Sequence, residues 1–526
     1  MAQFSREEWM TFDRRRFFQL FGAASVGYGL RSGYGESPSP QQTQTHPKAP
    51  PAGEHKTRTI NRKNVVAIQV KPFAWIDEGI DQLLDTIQKL GNVNTVCAYT
   101  YDFDPNRNTV GGPIPKPDHG KYGSGKPLVG GAFYDYDPKY FRDTTLTDFR
   151  SPEYGKFNVI TQVAPKAKAR GMDFFAWDYN NAFPNMMREI PGLTDVAEVD
   201  VYGRRTTSAC FNHPNYRGHL TGKIESLLSG YPDDVRGIMW GCERMGPIDN
   251  MIGGGWATVG ICCFCPFCCA KARARGISAE RARAGYIQLD KLFQAAGRHA
   301  RPSDGYFVVF LRTLFEYPEV SAWNQLWNDS YHEVRAELYG TAKALAPTRP
   351  FGFHMMQNIT FSPFYSAIDD YAKVADYADF LKLATYNNAG GPRMARFVDR
   401  LCSTVFADAT PRELQPLYYR LMNYDQGSLE EITKNGLTPQ YLISETKRAI
   451  TDTGGKVQIY PGVDIDVPTA PGEKHTTPED VRASVKAAFS AGANGIVLSR
   501  EYTEMWLRNL TAAGEASRTI FAGTGA

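Results

Sequence analysis

A rhythm of short apolar runs, each followed by a longer amphipathic stretch, constrains this chain more than any other feature. Runs fall at 65–70, 93–101 and 172–177, then in the segment ending at Glu243, then at 351–355, 379–386, 457–463 and 493–498. Short apolar runs between turn signals suit parallel strands covered on both faces. Between the first two, Ile80, Leu83, Leu84, Ile87 and Leu90 recur at helical spacing, and Gly91 is the expected stop. A second helix is expected over 159–170, and a long helical region over 279–346 is divided by Pro302 and Pro318. Strands alternating with helices imply a parallel sheet with right-handed crossovers. Eight such units predict a closed (β/α)8 TIM barrel with long βα-loop insertions, and 526 residues suit one such barrel. An open doubly wound sheet has less support, because no Gly-rich phosphate loop follows the first run.

The ends of the chain read differently. Asp13-Arg-Arg-Arg-Phe-Phe-Gln-Leu-Phe21 resembles a twin-arginine export motif, and a modest apolar segment through Ala23, Ala24, Val26 and Leu30 follows. That segment has the length of a signal core and is too short for an ordinary membrane span. We assign 1–36 to a signal segment, 37–60 to a Pro-, Gln- and Thr-rich linker, and 61–526 to the barrel. The expected location is the periplasm or the exterior. The absence of an evident small-x-small cleavage site leaves an uncleaved anchor open. No other stretch is long and apolar enough to span a bilayer. The 59 basic and 56 acidic residues nearly balance, so charge gives no case for nucleic acid. A loop over 102–152 carries Tyr122, Phe133, Tyr134, Tyr136 and Tyr140 and reads as an ordered lid or cleft wall.

Barrel enzymes place their chemistry at the carboxyl ends of the strands. Here those ends offer Trp177, Asp178 and Tyr179, then Glu243 and Arg244, His354, Tyr386 and Asn387, Asp464 and Asp466, and Arg500 and Glu501. Carboxylates, amides and rings mixed in this way suit a carbohydrate, whose hydroxyls need paired donors and acceptors and whose ring faces stack on aromatics. Glycoside hydrolysis needs two carboxyl groups. Glu243 is the candidate acid/base, its pKa expected to rise by burial. Asp464 is the candidate nucleophile, or base for an inverting water, with Asp466, Asp178 and Glu501 as further choices. All the strand-end residues other than Glu243 and Asp464, with Asp178, Asp466 and Glu501 among them, are candidate sugar ligands, and Arg244 with Arg500 leaves a uronic acid open.

The chain resembles the glycosyl-hydrolase-like TIM-barrel family of exported bacterial proteins. The resemblance rests on Trp240-Gly-Cys-Glu-Arg244, Cys263-Phe-Cys-Pro-Phe-Cys268, Tyr386-Asn-Asn-Ala-Gly-Gly-Pro-Arg393 and Ser499-Arg-Glu-Tyr-Thr-Glu-Met505, and runs from about residue 64 to the C-terminus. Among more distantly similar barrel retaining glycosidases, it implies an acid/base Glu after the fourth strand and a nucleophile Glu after the seventh. Glu243 matches the first. The chain departs from the pattern at Cys242, where Asn is usual, and at Asp464, where Glu is usual.

Five cysteines lie between Cys262 and Cys269, among nine in the chain. Cys265 and Cys268 have zinc half-site spacing, and Cys210 with Cys263 or His213 could complete a structural site. A disulfide to Cys210 and simple packing are the other readings. No cofactor is expected to be required for the reaction. The expectation is therefore an exported glycoside hydrolase acting on an oligo- or polysaccharide, with no nucleic-acid partner and no settled oligomeric state. A non-catalytic carbohydrate-binding barrel is one rival. A metal-dependent lyase or hydrolase using Asp464, Asp466 and His354 is the other.

Overall fold

The computed structural model describes residues 63–103, 118–120, 130–147, 149–152, 155–180, 184–253 and 260–523. The expected signal segment and linker lie outside the described residues, as does Tyr122. Arg58–Ala526 forms one compact unit.

Eight parallel strands close on themselves: β1 (Val65–Val70), β2 (Thr95–Asp102), β3 (Asp173–Tyr179), β4 (Gly237–Gly241), β5 (Phe351–Met355), β6 (Phe380–Leu383), β7 (Gln458–Asp464) and β8 (Gly495–Ser499). The closing register pairs Val65 with Gly495 on one side of β1 and Ala67 with Thr95 on the other. The fold is thus the expected (β/α)8 barrel. A shell of helices surrounds it: α1 (Ile80–Gly91), α2 (Val159–Ala169), α3 (Pro214–Gly230), α4 (Glu319–Leu345), α5 (Asn387–Cys402), α6 (Pro439–Asp452), α7 (Pro478–Ser490) and α8 (Leu507–Gly523). Among the described residues no helix is long and apolar enough to cross a membrane.

The pleat sorts side chains between two cores. Val65, Ala67, Cys97, Tyr99, Phe175, Trp177, Met239, Phe380, Tyr460 and Val497 fill the barrel interior. Their strand neighbours, such as Val66, Phe174, Trp240 and Leu381, face the helices. Trp240 therefore packs outward, on Tyr331 of α4 and on Phe353, with ring centroids 6.2 and 5.9 Å away. Gly241 faces inward and leaves its place to an indole, since a Cβ there would lie 2.3 Å from Trp177 Cη2.

Boundaries moved where local capping overruled the apolar pattern. α1 stops on Asn92, in the left-handed region at φ 55°, and not on Gly91. Gly91 is needed for contact with α8 instead, because a Cβ there would sit 2.7 Å from Leu510 Cδ1. The sixth strand ends at Leu383, and the Asn-Asn-Ala-Gly-Gly-Pro stretch expected to be a loop opens α5. The long region over 279–346 divides at both prolines, into Ala279–Gly297, Tyr306–Glu316 and α4. In the long loop, Phe133, Tyr134 and Phe141 are buried, Tyr134 against Tyr231 and Phe141 against His219 of α3. These rings belong to the helical shell and do not wall a cleft.

Candidate active site at the barrel mouth

The pleat that sorts the core also sorts the strand-end residues. On β3, Phe175, Trp177 and Tyr179 face inward, and Asp178 faces out. Beyond β4, Glu243 turns toward the axis, while Cys242 and Arg244 join the outer core. Glu243 is the centre of the site. Its Oε2 accepts from Tyr179 Oη at 2.9 Å, and its Oε1 lies 2.8 Å from His354 Nε2. The carboxylate keeps 19% of its side-chain surface, so it reaches the mouth. Tyr99, Trp177 and Tyr179 form an aromatic wall beside it, with Trp177 5.7 Å from Tyr99 and 5.3 Å from Tyr179. Trp177 also meets His354 edge-on at 5.6 Å.

The electrostatics of Glu243 differ from the sequence expectation. Burial pushes its pKa up, but the bonds to His354 and Tyr179 and the nearby Lys382 outweigh that and bring it down to about 2. Glu243 is therefore an anion in the resting protein. Burial, and then Lys382, push His354 down to about 4, so it is neutral at pH 7 and donates from Nε2. Its charge then adds nothing to the pull on Glu243 at pH 7, where the two hydrogen bonds and Lys382 are what draw the carboxyl down against its burial.

The sequence reading missed Lys382. It stands inside β6, two residues after the inward-facing Phe380, is wholly buried, and donates to Tyr386 Oη. Burial pushes it down to about 7, helped by Arg393 and Arg500 and opposed by Glu243. A lysine in the middle of a four-residue apolar strand, Phe-Leu-Lys-Leu, was the available signal. Arg393 on α5 was also missed. It donates to Gln357 Oε1 at 2.8 Å and feels the charges of Arg500, Asp464 and Glu243. Arg500, the residue after β8, pairs with Glu504, Nε to Oε2 at 2.9 Å.

Several expected site residues lie elsewhere. Asp178 is sealed under α3, 2.7 Å from Lys223 Nζ, with both side chains at most 1% exposed. Lys223 also donates to Asn180 and sits 3.3 Å from the Tyr101 ring centroid. Removing one partner of such a pair strands a buried charge. We expect Asp178→Asn to lower unfolding free energy by about 3–5 kcal/mol, read by denaturant titration, with kcat/KM of the folded fraction unchanged. Arg244 likewise points away from the mouth. It pairs with Glu198 at 2.6 Å, donates to the Ala209 carbonyl at 2.6 Å and lies over the Phe211 ring.

The β7 carboxylates serve the backbone. Asp464 is fully buried and accepts from Ala389 N–H at 2.8 Å, Val467 N–H at 2.9 Å and Thr476 Oγ1 at 3.2 Å. It thus ties the N-terminus of α5 to the loop after β7, and its oxygens are taken up where a nucleophile would need one free. Asp466 accepts from Trp506 N–H at 2.9 Å and Asn509 Nδ2 at 2.8 Å. With His354 bonded to Glu243, Asp464, Asp466 and His354 are not brought together as a metal-ligand set. Asn387 accepts from Ser484 of α7 at 3.0 Å and is structural too. Glu501 is buried and holds the turn after β8 through Thr503 N–H at 3.2 Å.

Asp466 gives a pH test. Burial pushes it up to about 8 despite its two donors. Its folded pKa thus lies above an unfolded value of about 4. The stability it contributes is fully present below about pH 4 and is lost as pH rises through about 8. Asp466→Asn, which keeps an oxygen for both donors, should flatten this slope and gain at least about 1 kcal/mol at pH 8, measured by thermal unfolding across pH 4–9.

The cysteine cluster forms a separate centre outside the barrel. The Sγ atoms of Cys210, Cys263, Cys265 and Cys268 all lie within 4.8 Å of one another, and all four are buried. Cys210 Sγ is 3.5 Å from those of both Cys265 and Cys268, too far for a disulfide. Asn212 donates to two of the sulfurs, N–H to Cys210 at 3.3 Å and Nδ2 to Cys268 at 3.2 Å. His213 packs against Phe267 instead. Among the described residues this is the one group of three or more His, Cys, Asp or Glu side chains close enough to hold a metal.

No protein-family model matches the chain, and no curated protein matches it by sequence. Solved structures do resemble it. A β-galactosidase from the psychrophilic Marinomonas ef1 superposes with a TM-score of 0.50 at 11% identity, over 88% of this chain and 60% of that one. A β-galactosidase from the Antarctic haloarchaeon Halorubrum lacusprofundi gives 0.50 at 14%, over 86% and 57%. The chain thus spans about 60% of the length of these structures. At such identity the likeness extends to the fold, a TIM barrel shared with glycoside hydrolases.

Proposed function

We propose that this protein hydrolyses a glycosidic bond at the mouth of its barrel, with Glu243 as the reacting carboxylate. The observation that carries this reading is the placement of Glu243: a partly exposed anion on the axial side of the fourth strand end, fixed by Tyr179 and His354 beside an aromatic wall. Two fixed donors orient one carboxylate for attack at the anomeric carbon, or for drawing a proton from a water there. Tyr179, the half-buried ring of the three, suits the C–H face of a sugar. The fold is one that known β-galactosidases also use.

This reading reverses the role expected from sequence. A resting general acid must hold a proton near neutrality. Its bonds to Tyr179 and His354 favour the ionised form of Glu243, which suits a nucleophile or base. The test is hydrolysis of a panel of 4-nitrophenyl glycosides and oligosaccharides by wild type and by Glu243→Ala, with and without azide. Rescue giving a glycosyl azide of inverted configuration supports the nucleophile role. A retained configuration returns Glu243 to the acid/base role. Export through the twin-arginine route stays part of the proposal, resting on Arg14, Arg15 and Arg16 and the apolar residues that follow.

We also propose that the four cysteines hold a structural zinc ion. Four sulfurs at this spacing match a tetrahedral thiolate site, and N–H donors on two of them suit sulfurs carrying negative charge. Zinc here would brace the antiparallel pair Ala197–Val199 and Arg205–Ala209, whose Glu198 and Ala209 hold Arg244, and take no part in the reaction.

A further inference from the structure

We propose that Asn212 and Lys271 set how tightly the sulfur centre retains its metal: Lys271 fixes the Asn212 amide in one orientation, and that amide holds Cys268 as a thiolate. This role presupposes the zinc ion proposed above and assigns residues beyond its four ligands.

An Asn side chain offers an oxygen that accepts and a nitrogen that donates, and its neighbours decide which end faces which way. Here Lys271 decides. Its Nζ has three partners, Asn212 Oδ1 at 3.0 Å, Ser330 Oγ at 2.9 Å and Glu333 Oε2 at 2.6 Å. The Ser330 hydroxyl gives its own hydrogen to the Leu326 carbonyl at 2.7 Å, so it offers Lys271 a lone pair. Three acceptors match an ammonium, which has three hydrogens and no lone pair. The end of Asn212 facing Lys271 is therefore the oxygen. The nitrogen is left to face Cys268 Sγ at 3.2 Å, and the backbone N–H of the same residue points at Cys210 Sγ at 3.3 Å. One residue thus gives a donor to each of two sulfurs.

The sequence builds this arrangement from three places. Cys268 and Lys271 stand three residues apart in the helix Pro266–Ala274 and so share a face. Ser330 and Glu333 repeat that spacing on α4. Cys210 and Asn212 lie in the short link between the strand Arg205–Ala209 and α3. Cys210 and Cys268 are at most 3% exposed. A divalent ion among four thiolates keeps a net negative charge, which is costly in such a place unless donors and a cation face it. The two N–H groups are those donors, and the ammonium of Lys271 stands one amide away. Neutral thiols accept hydrogen bonds weakly and would draw little from either.

The test is competition for zinc between the full-length protein and a chromogenic chelator, repeated with cobalt(II), whose sulfur-to-metal absorption reports the thiolates directly. Asn212→Asp keeps the size of the side chain, the backbone N–H and a partner for Lys271. It replaces only the nitrogen facing Cys268 by an oxygen, a change that a residue serving packing alone would tolerate. We expect Asn212→Asp to hold zinc about 10- to 100-fold more weakly than wild type, and Lys271→Met about tenfold more weakly, the range for groups that orient metal ligands. Both should shift the cobalt absorption. An unchanged zinc affinity in either variant overturns the proposal. Should Asn212→Asp not fold, Lys271→Met decides alone. Wild-type protein that takes up neither zinc nor cobalt ends the zinc reading and this role with it. Tight zinc binding that both variants keep ends this role alone.

Discussion

Glu243→Gln should lower kcat by about 100- to 10,000-fold or more on whichever glycoside the wild type cleaves, measured on the folded protein. The amide keeps the shape and still offers one oxygen to Tyr179 or His354. What it loses is the negative charge. Loss of the ionised carboxylate should also cost some stability at neutral pH, because its folded pKa lies below the ordinary value. Asp464 and Asp466 are bound to backbone and amide donors, and Asp178 is sealed beneath α3. A fall in kcat with KM nearly unchanged identifies an interaction made in the transition state. Equal turnover by mutant and wild type would move the chemistry away from Glu243 altogether. Normal glycan binding with no turnover in the wild type itself would favour a barrel that binds carbohydrate without cleaving it.

The second large effect is expected at the four sulfurs. Purified protein should contain close to one zinc per chain by elemental analysis, and Cys265→Ser or Cys268→Ser should lose it. Structural zinc contributes about 10–16 kcal/mol to small zinc-dependent folds. In a barrel with its own large core we expect a loss on the order of several kcal/mol, because a vacated site would leave charged or unpaired sulfurs in the interior. Thermal unfolding and zinc content measured on the same samples give the answer. Protein that is fully folded, free of zinc and unaffected by either substitution would assign the cluster to packing. Thiol counts that rise only after reduction would assign it to a disulfide.

The barrel was legible because its signal is long and redundant. Each of the eight apolar runs became a strand, and a shift of one residue at Asn92 or three at Leu383 did not alter the order. The site was legible only in part. Tyr179, Trp177 and His354 do gather about Glu243. Asp178 and Arg244 do not, because each neighbours an inward-facing residue and must point the other way. That parity could have been applied to the sequence once Glu243 was chosen. Asp464 could not have been judged in this way, since its partners Ala389, Val467 and Thr476 come from loops whose course depends on the whole fold. Lys382 was hidden by its apolar neighbours. The direction of the Glu243 shift was also out of reach, because it depends on His354 arriving from a strand more than a hundred residues away.

The peptide unit joining Glu243 to Arg244 has a consequence for how this protein would fail. In the proposed reaction the first of these meets the substrate; the next is clamped by Glu198 and by the carbonyl of Ala209, beside the cysteine Cys210. The sulfur centre and the reacting carboxylate are thus two ends of one short lever. Slack introduced at the outer end would reach Glu243 as a loss of aim, without altering any group that meets the sugar. Damage to the cysteines should therefore first show as a slower enzyme with its charge and aromatic wall intact, and only later as an unfolded one.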